Sequence, residues 1–272
     1  MFFLEKCARV IRHLPILEKM NFFWNFITPL YENFLKLIYP DVLRRTVNKT
    51  DVIYIPHYLR HFGDKYETES WKKIMQEVRY GDTIVDVGAF FGFYTFAFLK
   101  RVDKEGKVVA FEPDPRNLAF LKKIVRRYKI TAKLDIIGSA VGEKKGILKF
   151  YAQASSTSGI IGGRFSQKGE AVEVGCVSLD EYFGDEKLDI IKIDVEGYEE
   201  KVLLGAKNIL KRKSGSPRAI FIEAHPYAWE SYGSSDASIM GILKDSGYRI
   251  SNLSGDSVSS IKDYGVIFAL KG

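Results

Sequence analysis

The chain has 272 residues, 46% of them hydrophobic and 28% charged, enough for one large α/β domain with an extension. Its two cysteines, Cys7 and Cys176, exclude a disulfide framework and a cysteine-rich metal site. The net charge of +7 admits an acidic partner, but the basic residues are scattered along the chain. A solvated, lysine-rich surface is therefore the favoured reading, and no DNA partner is expected.

Residues 1–65 read as a helical extension and linker punctuated by Pro40 and Pro56. The opening MFFLEKCARVIRHLPIL is interrupted by Lys6, Arg9 and Arg12 and lacks the order of a secretory signal. No run reaches the roughly 18–20 apolar residues that cross a bilayer. Residues 22–39 are rich in aromatics and predict amphipathic helices broken near Pro29. They suit a cap on the catalytic domain or a partner subunit, the favoured reading, or a peripheral anchor on a membrane surface. The expected location is cytoplasmic, with any membrane contact made through residues 1–40. His57 and His61 could share a helix face, but Tyr58 breaks the H-E-x-x-H zinc pattern, so they are read as structural.

The catalytic domain is expected over residues 66–272. Glu69 to Tyr80 predicts a helix with Trp71, Ile74, Met75 and Val78 on one face. Thr83 to Val87 is a buried strand, and Phe93 to Lys100 can wind a helix. Between them lies the most informative stretch, D-x-G-x-x-x-G from Asp86 through Gly88, Ala89 and Phe90 to Gly92. A dinucleotide fingerprint counted from Gly88 needs glycines at 90 and 93; both are phenylalanine. No phosphate-binding G-x-x-x-x-G-K-[ST] stretch occurs either. What remains is a carboxylate at a strand end beside a bare turn. It can serve a ligand with ammonium or sulfonium charge, and S-adenosylmethionine carries both.

Lys107 to Glu112 is the next strand, closed by Glu112 and Pro113. An acid about twenty residues past the glycine turn is placed to grip a ribose diol. Arg116 to Tyr128 then reads as a helix, Leu134 to Ile137 as a strand, and Val141 to Gly146 as a turn in a hairpin ending at Lys149–Tyr151. Ser139, after Gly138, is a candidate near the adenine. Residues 153–171 are rich in Ser and Gly and read as a loop near the site. Val172 to Val177 and Leu188 to Asp194 are strands, and Glu199 to Leu210 is a helix. Ala219 to Glu223 is a strand followed by His225, and Tyr248–Leu253 pairs with Val266–Leu270. Asp180 reads as a helix cap. The alternation predicts a mostly parallel sheet covered on both faces.

The motifs VDVGAFFGFYT (85–95), FEPDPRN (111–117), SLDEYF (178–183), IIKIDVEGYE (190–199) and IFIEAHP (220–226) resemble those of FkbM-type methyltransferases. These are a branch of the class I S-adenosylmethionine-dependent enzymes. The resemblance spans roughly residues 65 to 225, and the KIDVEGYE block is its most specific piece. It implies a Rossmann-like sheet of seven strands with the last antiparallel. The family usually has Asn where this chain has Phe90.

The implied reaction is methyl transfer from S-adenosylmethionine, with oxygen preferred as acceptor on the strength of the resemblance. The acceptor would be a hydroxyl of a small molecule, glycan or lipid-linked substrate. Asp86, Glu112, Asp194 and His225 all follow strands and should gather along one rim. His225 is the first candidate for general base and Glu196 the second, while Asp194 is expected to orient substrate or cofactor. Asp86, Gly88, Ala89, Phe90, Gly92, Glu112, Pro113 and Ser139 are the expected cofactor residues. No metal requirement is expected, although Asp194, Glu196 and His225 could together hold a divalent ion. The alternatives are an RNA methyltransferase, suggested by the basic pI, and a non-catalytic scaffold that keeps the fold.

Overall fold

The computed structural model describes residues 41–59, 62–152, 159–160 and 170–272. The expectations for residues 1–40, for His61 and for most of the Ser/Gly-rich stretch 153–171 lie outside the described residues. Two compact units are present: Met1–Arg44 with Ile55–Phe62, and Arg45–Tyr54 with Gly63–Gly272. Among the described residues no helix is long and apolar enough to cross a membrane.

The helical reading of residues 1–65 does not hold where that segment is described. Strands β1 (Val42–Val47) and β2 (Asp51–Pro56) form a two-stranded sheet. Asn48 and Lys49 both adopt positive φ, and the Thr50 amide donates to the Val47 carbonyl at 3.1 Å. That is the twist a tight hairpin turn requires. The β-branched residues of DVIYIP alternate with the pleat, burying Ile53 and Ile55.

The larger unit is built on a seven-stranded sheet. Its strands are β3 (Thr83–Val87), β4 (Lys107–Phe111), β5 (Lys133–Ile137), β10 (Ile190–Ile193), β11 (Ala219–Ala224), β12 (Tyr248–Ser251) and β13 (Gly265–Lys271). Their spatial order is β12-β13-β11-β10-β3-β4-β5. The strands from β11 to β5 run parallel, and β13 inserts antiparallel between β12 and β11. The central strands are apolar runs buried on both faces, as a covered parallel sheet demands, whereas β5 at the edge is partly open. This is the Rossmann-like class I arrangement the sequence implied. Strand order reverses between β3 and β10, which puts the crevice at their carboxyl ends.

Helices α1 (Thr68–Glu77), α2 (Phe93–Val102) and α3 (Pro115–Ile124) cover the sheet beside β3 and β4. The third starts cleanly because Asp114 caps it, accepting from the Arg116 amide at 2.8 Å with Pro115 in the first turn. Helix α4 (Leu179–Phe183) is capped by Ser178. Asp180 does cap a helix, but a different one: it accepts from the amides of Asn208 and Ile209 at 2.9 and 2.8 Å. The expected single helix 199–210 is two short ones, α5 (Glu199–Leu204) and α6 (Lys207–Leu210), parted at Gly205. A Cβ there would lie 2.0 Å from the Gly142 carbonyl oxygen, so the chain passes too closely for any other residue. Helices α7 (Pro226–Trp229) and α8 (Asp236–Asp245) complete the layer.

The hairpin expected near residue 146 belongs to a second sheet. Strands β6 (Ser139–Val141), β7 (Gly146–Ala152), β8 (Gly159–Ile160) and β9 (Glu170–Val177) pair in the order β6-β9-β7-β8.

Asp51 ties β2 to the helices behind the glycine turn. It accepts from Arg101 with both oxygens at 2.9 Å and from the Trp71 indole at 3.1 Å. Burial alone would raise its carboxyl, but the Arg101 and Thr50 hydrogen bonds prevail and hold it down at about 2. Asp51→Asn should therefore cost about 2–4 kcal/mol at neutral pH. Stability from a depressed carboxyl is complete above its ordinary pKa of 3.8 and is lost as pH falls through about 2. Denaturant midpoints of the two proteins should converge over that window; equal midpoints at pH 7 would refute the account.

Candidate functional site

Register places the site. Lys192 on β10 sits directly opposite Asp86 on β3, one step before both strands end. Both side chains are buried. The Lys192 ammonium lies 3.7 Å from Asp86 Oδ1, 3.5 Å from Asp194 Oδ2 and 4.6 Å from the centre of the Tyr94 ring. Burial alone would lower the Lys192 pKa, but Asp194 and Asp86 raise it, so it stays a cation. Burial also pushes Asp86 up, opposed by Lys192 and by the Thr95 hydroxyl, which donates to Oδ2 at 2.6 Å. Asp86 Oδ1 is buried without a hydrogen-bond partner. Its charge is offset by the Lys192 ammonium at 3.7 Å, which leaves a hydrogen-bonding position on that oxygen unfilled.

More acid surrounds this pair. Glu67 accepts from the Tyr94 hydroxyl at 2.7 Å, and Glu223 on β11 accepts from Tyr264. Burial and the neighbouring Asp194 raise Glu223. Four carboxylates, Asp86, Asp194, Glu223 and Glu67, thus act on the one lysine. The excess of negative charge suits a ligand that brings positive charge of its own.

The turn after β3 is tight for a reason the motif alone does not reveal. Gly88 has φ +83°, and a Cβ on it would lie 1.8 Å from the Asp194 carbonyl oxygen. The glycine is required first by the neighbouring strand end. Gly88 and Ala89 both donate to the Phe111 carbonyl, at 3.0 and 2.9 Å, and Gly92 heads α2. Phe90 also has positive φ, at 52°. Its amide donates to Glu112 Oε2 at 2.6 Å. A bulky non-glycine residue is uncommon in that conformation, so the turn holds Phe90 under backbone strain. Its ring packs on Phe91 at 3.8 Å between centres.

Glu112 stands at the end of β4, as expected, but it is already occupied. Its Oε1 accepts from the Asp114 amide at 2.9 Å and from Asn117 at 3.4 Å. With the Phe90 bond, three of about four acceptor positions are used, leaving one for a ribose hydroxyl. Burial outweighs these bonds and raises Glu112 to about 8. Pro113 follows it. Ser139 begins β6, two residues beyond Ile137, whose carbonyl accepts from the Glu112 amide at 3.0 Å.

The third part of the rim joins β10 to β11. Asp194 is not the cap of α5; that place falls to Tyr198. Asp194, Glu196 and His225 instead come together, with one ligand atom of each within 4.8 Å of the others. Glu196 has φ +53°, a left-handed non-glycine residue of the kind that collects at functional sites. His225 is buried between two carboxylates. Its Nδ1 lies 2.8 Å from Glu199 Oε1, and its Nε2 lies 3.6 Å from Glu196 Oε2. Burial would push the imidazolium down, but Glu199, with Asp194 and Glu196, lifts it to about 9. Burial raises Glu196 to about 7, partly opposed by His225.

Glu199 was not anticipated. It is fully buried and accepts from the Gly197 amide at 2.9 Å and the Trp229 indole at 2.7 Å. It lies inside the IIKIDVEGYE block, so the position was visible while its role was not. Glu67, just before α1, and Tyr264, just before β13, had no such signal, since neither follows a strand.

Strand order, glycine turn and acidic rim together define a class I S-adenosylmethionine-dependent methyltransferase. The chain matches the methyltransferase FkbM domain over residues 86–250, more than half of its length, and belongs to that family. The family's cofactor is S-adenosylmethionine, and the orphaned Asp86 oxygen and the carboxylate excess fit it. The fold is similar to a precorrin-6y C5,15-methyltransferase from Geobacter metallireducens (TM-score 0.45, 12% identity, 78% of this chain and 92% of that one). It is similar also to an S-adenosylmethionine-dependent O-methyltransferase from Thermotoga maritima (TM-score 0.43, 14% identity, 76% and 65%). A third is fibrillarin from Aeropyrum pernix (TM-score 0.42, 15% identity, 85% and 95%). No curated protein matches the chain in sequence.

Two outcomes follow from this geometry. Gly88→Ala should cost more than about 2 kcal/mol, because positive φ and contact with the Asp194 carbonyl act together. A thermal midpoint equal to wild type would contradict the close approach. Glu112 ionises near its ordinary 4.5 when unfolded and near 8 when folded. It therefore detracts increasingly from stability as pH rises from about 4.5, and the effect levels off above 8. The stability of Glu112→Gln relative to wild type should climb over that range; a flat difference would mean Glu112 is ionised in its cradle.

Proposed function

We propose that the protein methylates a hydroxyl oxygen of a small molecule, sugar or lipid-linked acceptor held over the Asp194–Glu196–His225 rim. The observation that carries this reading is the juxtaposition of that rim with Asp86. Lys192 bridges them, 3.5 Å from Asp194 and 3.7 Å from Asp86. A group seated at Asp86 and an acceptor seated at His225 are thus neighbours on adjacent strand ends. Exposed Tyr227 and Tyr264 flank His225, with ring centres 5.7 and 5.4 Å away, and offer an apolar wall to a sugar or other ring.

Asp86, Gly88, Ala89, Phe90, Gly92, Glu112, Pro113 and Ser139 would hold the cofactor. Bound S-adenosylmethionine supplies a methyl group on a positively charged sulfur. Asp86 and Asp194 face its positive charge, and Glu112 takes a ribose hydroxyl through its remaining acceptor position. The acceptor's proton is taken up at the Asp194–Glu196–His225 cluster. With no cation at the cluster, the carboxylates around His225 favour its charged form, and Glu196, raised to about 7 by burial, is the carboxylate poised to accept a proton. The order of the two candidate bases is thereby exchanged relative to the sequence reading.

Transfer of labelled methyl from S-adenosylmethionine to a panel of sugars, phenols and lipid-linked glycans tests the assignment directly. Labelling of tRNA in place of every hydroxyl compound would replace it with RNA methylation. Glu112→Ala should weaken cofactor binding by about 1.5–3 kcal/mol in calorimetry. Glu196→Gln should lower kcat by roughly 10²–10⁴-fold with cofactor affinity nearly intact. Full activity in that variant would move the chemistry away from this rim. A peripheral contact through the aromatic residues 1–40 predicts flotation of the full chain with anionic liposomes.

A further inference from the structure

Asp194 and Glu196 leave β10 on one turn, and His225 leaves the neighbouring strand β11. We propose that these three side chains bind a divalent metal cation, which holds the acceptor oxygen at the open side of the rim. The sequence predicted no metal requirement but noted that these three residues could hold a divalent ion, and the proposal takes up that second reading. One ligand atom of each residue already lies within 4.8 Å of the other two.

The orientation of His225 is the first support. Its Nδ1 is taken by Glu199 Oε1 at 2.8 Å. Both Glu199 oxygens are themselves pinned, by the Gly197 amide and the Trp229 indole. The imidazole cannot turn, and Nε2 is the ring atom left to face the cluster. It stands 3.6 Å from Glu196 Oε2, longer than a hydrogen bond. A buried carboxylate behind a ligating imidazole is the arrangement that fixes tautomer and basicity at metal centres.

Exposure is the second. The His225 side chain is buried, while those of Asp194 and Glu196 are 26% and 21% exposed. Protein donors on one side and water on the other leave coordination positions for a substrate oxygen. Two carboxylates and one imidazole suit Mn²⁺ or Mg²⁺. With bonds of about 2.1 Å, adjacent octahedral donors are about 3 Å apart, so donors now within 4.8 Å of one another must close by up to about 2 Å. Asp194 and Glu196, on the solvent side, would turn inward as the cation replaces the Lys192 and Tyr227 contacts they make now. A hydroxyl on such a cation loses its proton at neutral pH more readily than a free one.

The use of the site rests on the methyl-transfer reading, but its existence does not. The test titrates the full chain with MnCl₂ and follows free Mn²⁺ by electron paramagnetic resonance. S-adenosylmethionine binding is measured separately by calorimetry in EDTA. One Mn²⁺ should bind per chain, and Glu196→Gln and His225→Gln should each weaken it about tenfold or more. Asp185→Asn, on the surface, should leave it unchanged. Because Glu196 is partly exposed, its variant keeps the test valid if His225→Gln fails to fold. No bound Mn²⁺ at millimolar concentration, or equal binding in Glu196→Gln and wild type, overturns the proposal. Cofactor binding in EDTA without Mn²⁺ binding would sink the metal site alone. Mn²⁺ binding without cofactor binding would sink the methyl-transfer reading alone.

Discussion

The site depends on one buried cation. Lys192 is held between Asp86 and Asp194 where β3 and β10 lie side by side. Taking an ammonium and two carboxylates out of water costs several kcal/mol per ion, and apolar residues of equal volume would serve a sheet as well or better. The arrangement therefore answers to the site rather than to the core. It sets the carboxylates at the distance of a single ammonium and keeps the ends of the two strands in register. Removing the lysine would leave Asp86, Asp194, Glu223 and Glu67 repelling one another inside the protein.

Around that cation the rim is a gradient of proton affinity. Asp86, Glu112 and Glu196 are all raised by burial, yet their surroundings differ. Glu112 is wrapped in main-chain amides, Asp86 has one satisfied and one orphaned oxygen, and Glu196 faces an imidazole. Glu112 is thus held mainly by the backbone, whereas Glu196 is held by side chains.

Much of this was legible in the residues. The strands from Thr83 to Val87 and from Leu188 to Asp194 are short apolar runs closed by acids, and the structure ends them there. The D-x-G-x-x-x-G spacing lacks the later glycines of a dinucleotide fingerprint, and the family to which the chain belongs uses S-adenosylmethionine. What the chain could not disclose was long-range. Gly88 looked like room for a ligand, whereas its first duty is to clear the Asp194 carbonyl, more than a hundred residues away. Residues 1–65 were read as helical extension and linker, so the strands Val42–Val47 and Asp51–Pro56 were not anticipated; the turn between them has positive φ at Asn48 and Lys49. The second sheet was hidden because β6 follows β5 after a single residue, so two sheets share one apolar stretch. Glu199 sits in a helical pattern and gives no hint that it faces a histidine on another strand.

Phe90 carries a consequence for how this family can diversify. Its amide, not its side chain, reaches Glu112, and its left-handed backbone is held by the turn on either side. The hydrogen bond that closes the turn is consequently indifferent to the residue's identity. An aromatic ring can replace an amide there, at some conformational strain, without unfastening the pocket. The position behaves as an interchangeable tile on a fixed mount: the side chain it presents can change while the turn that presents it does not.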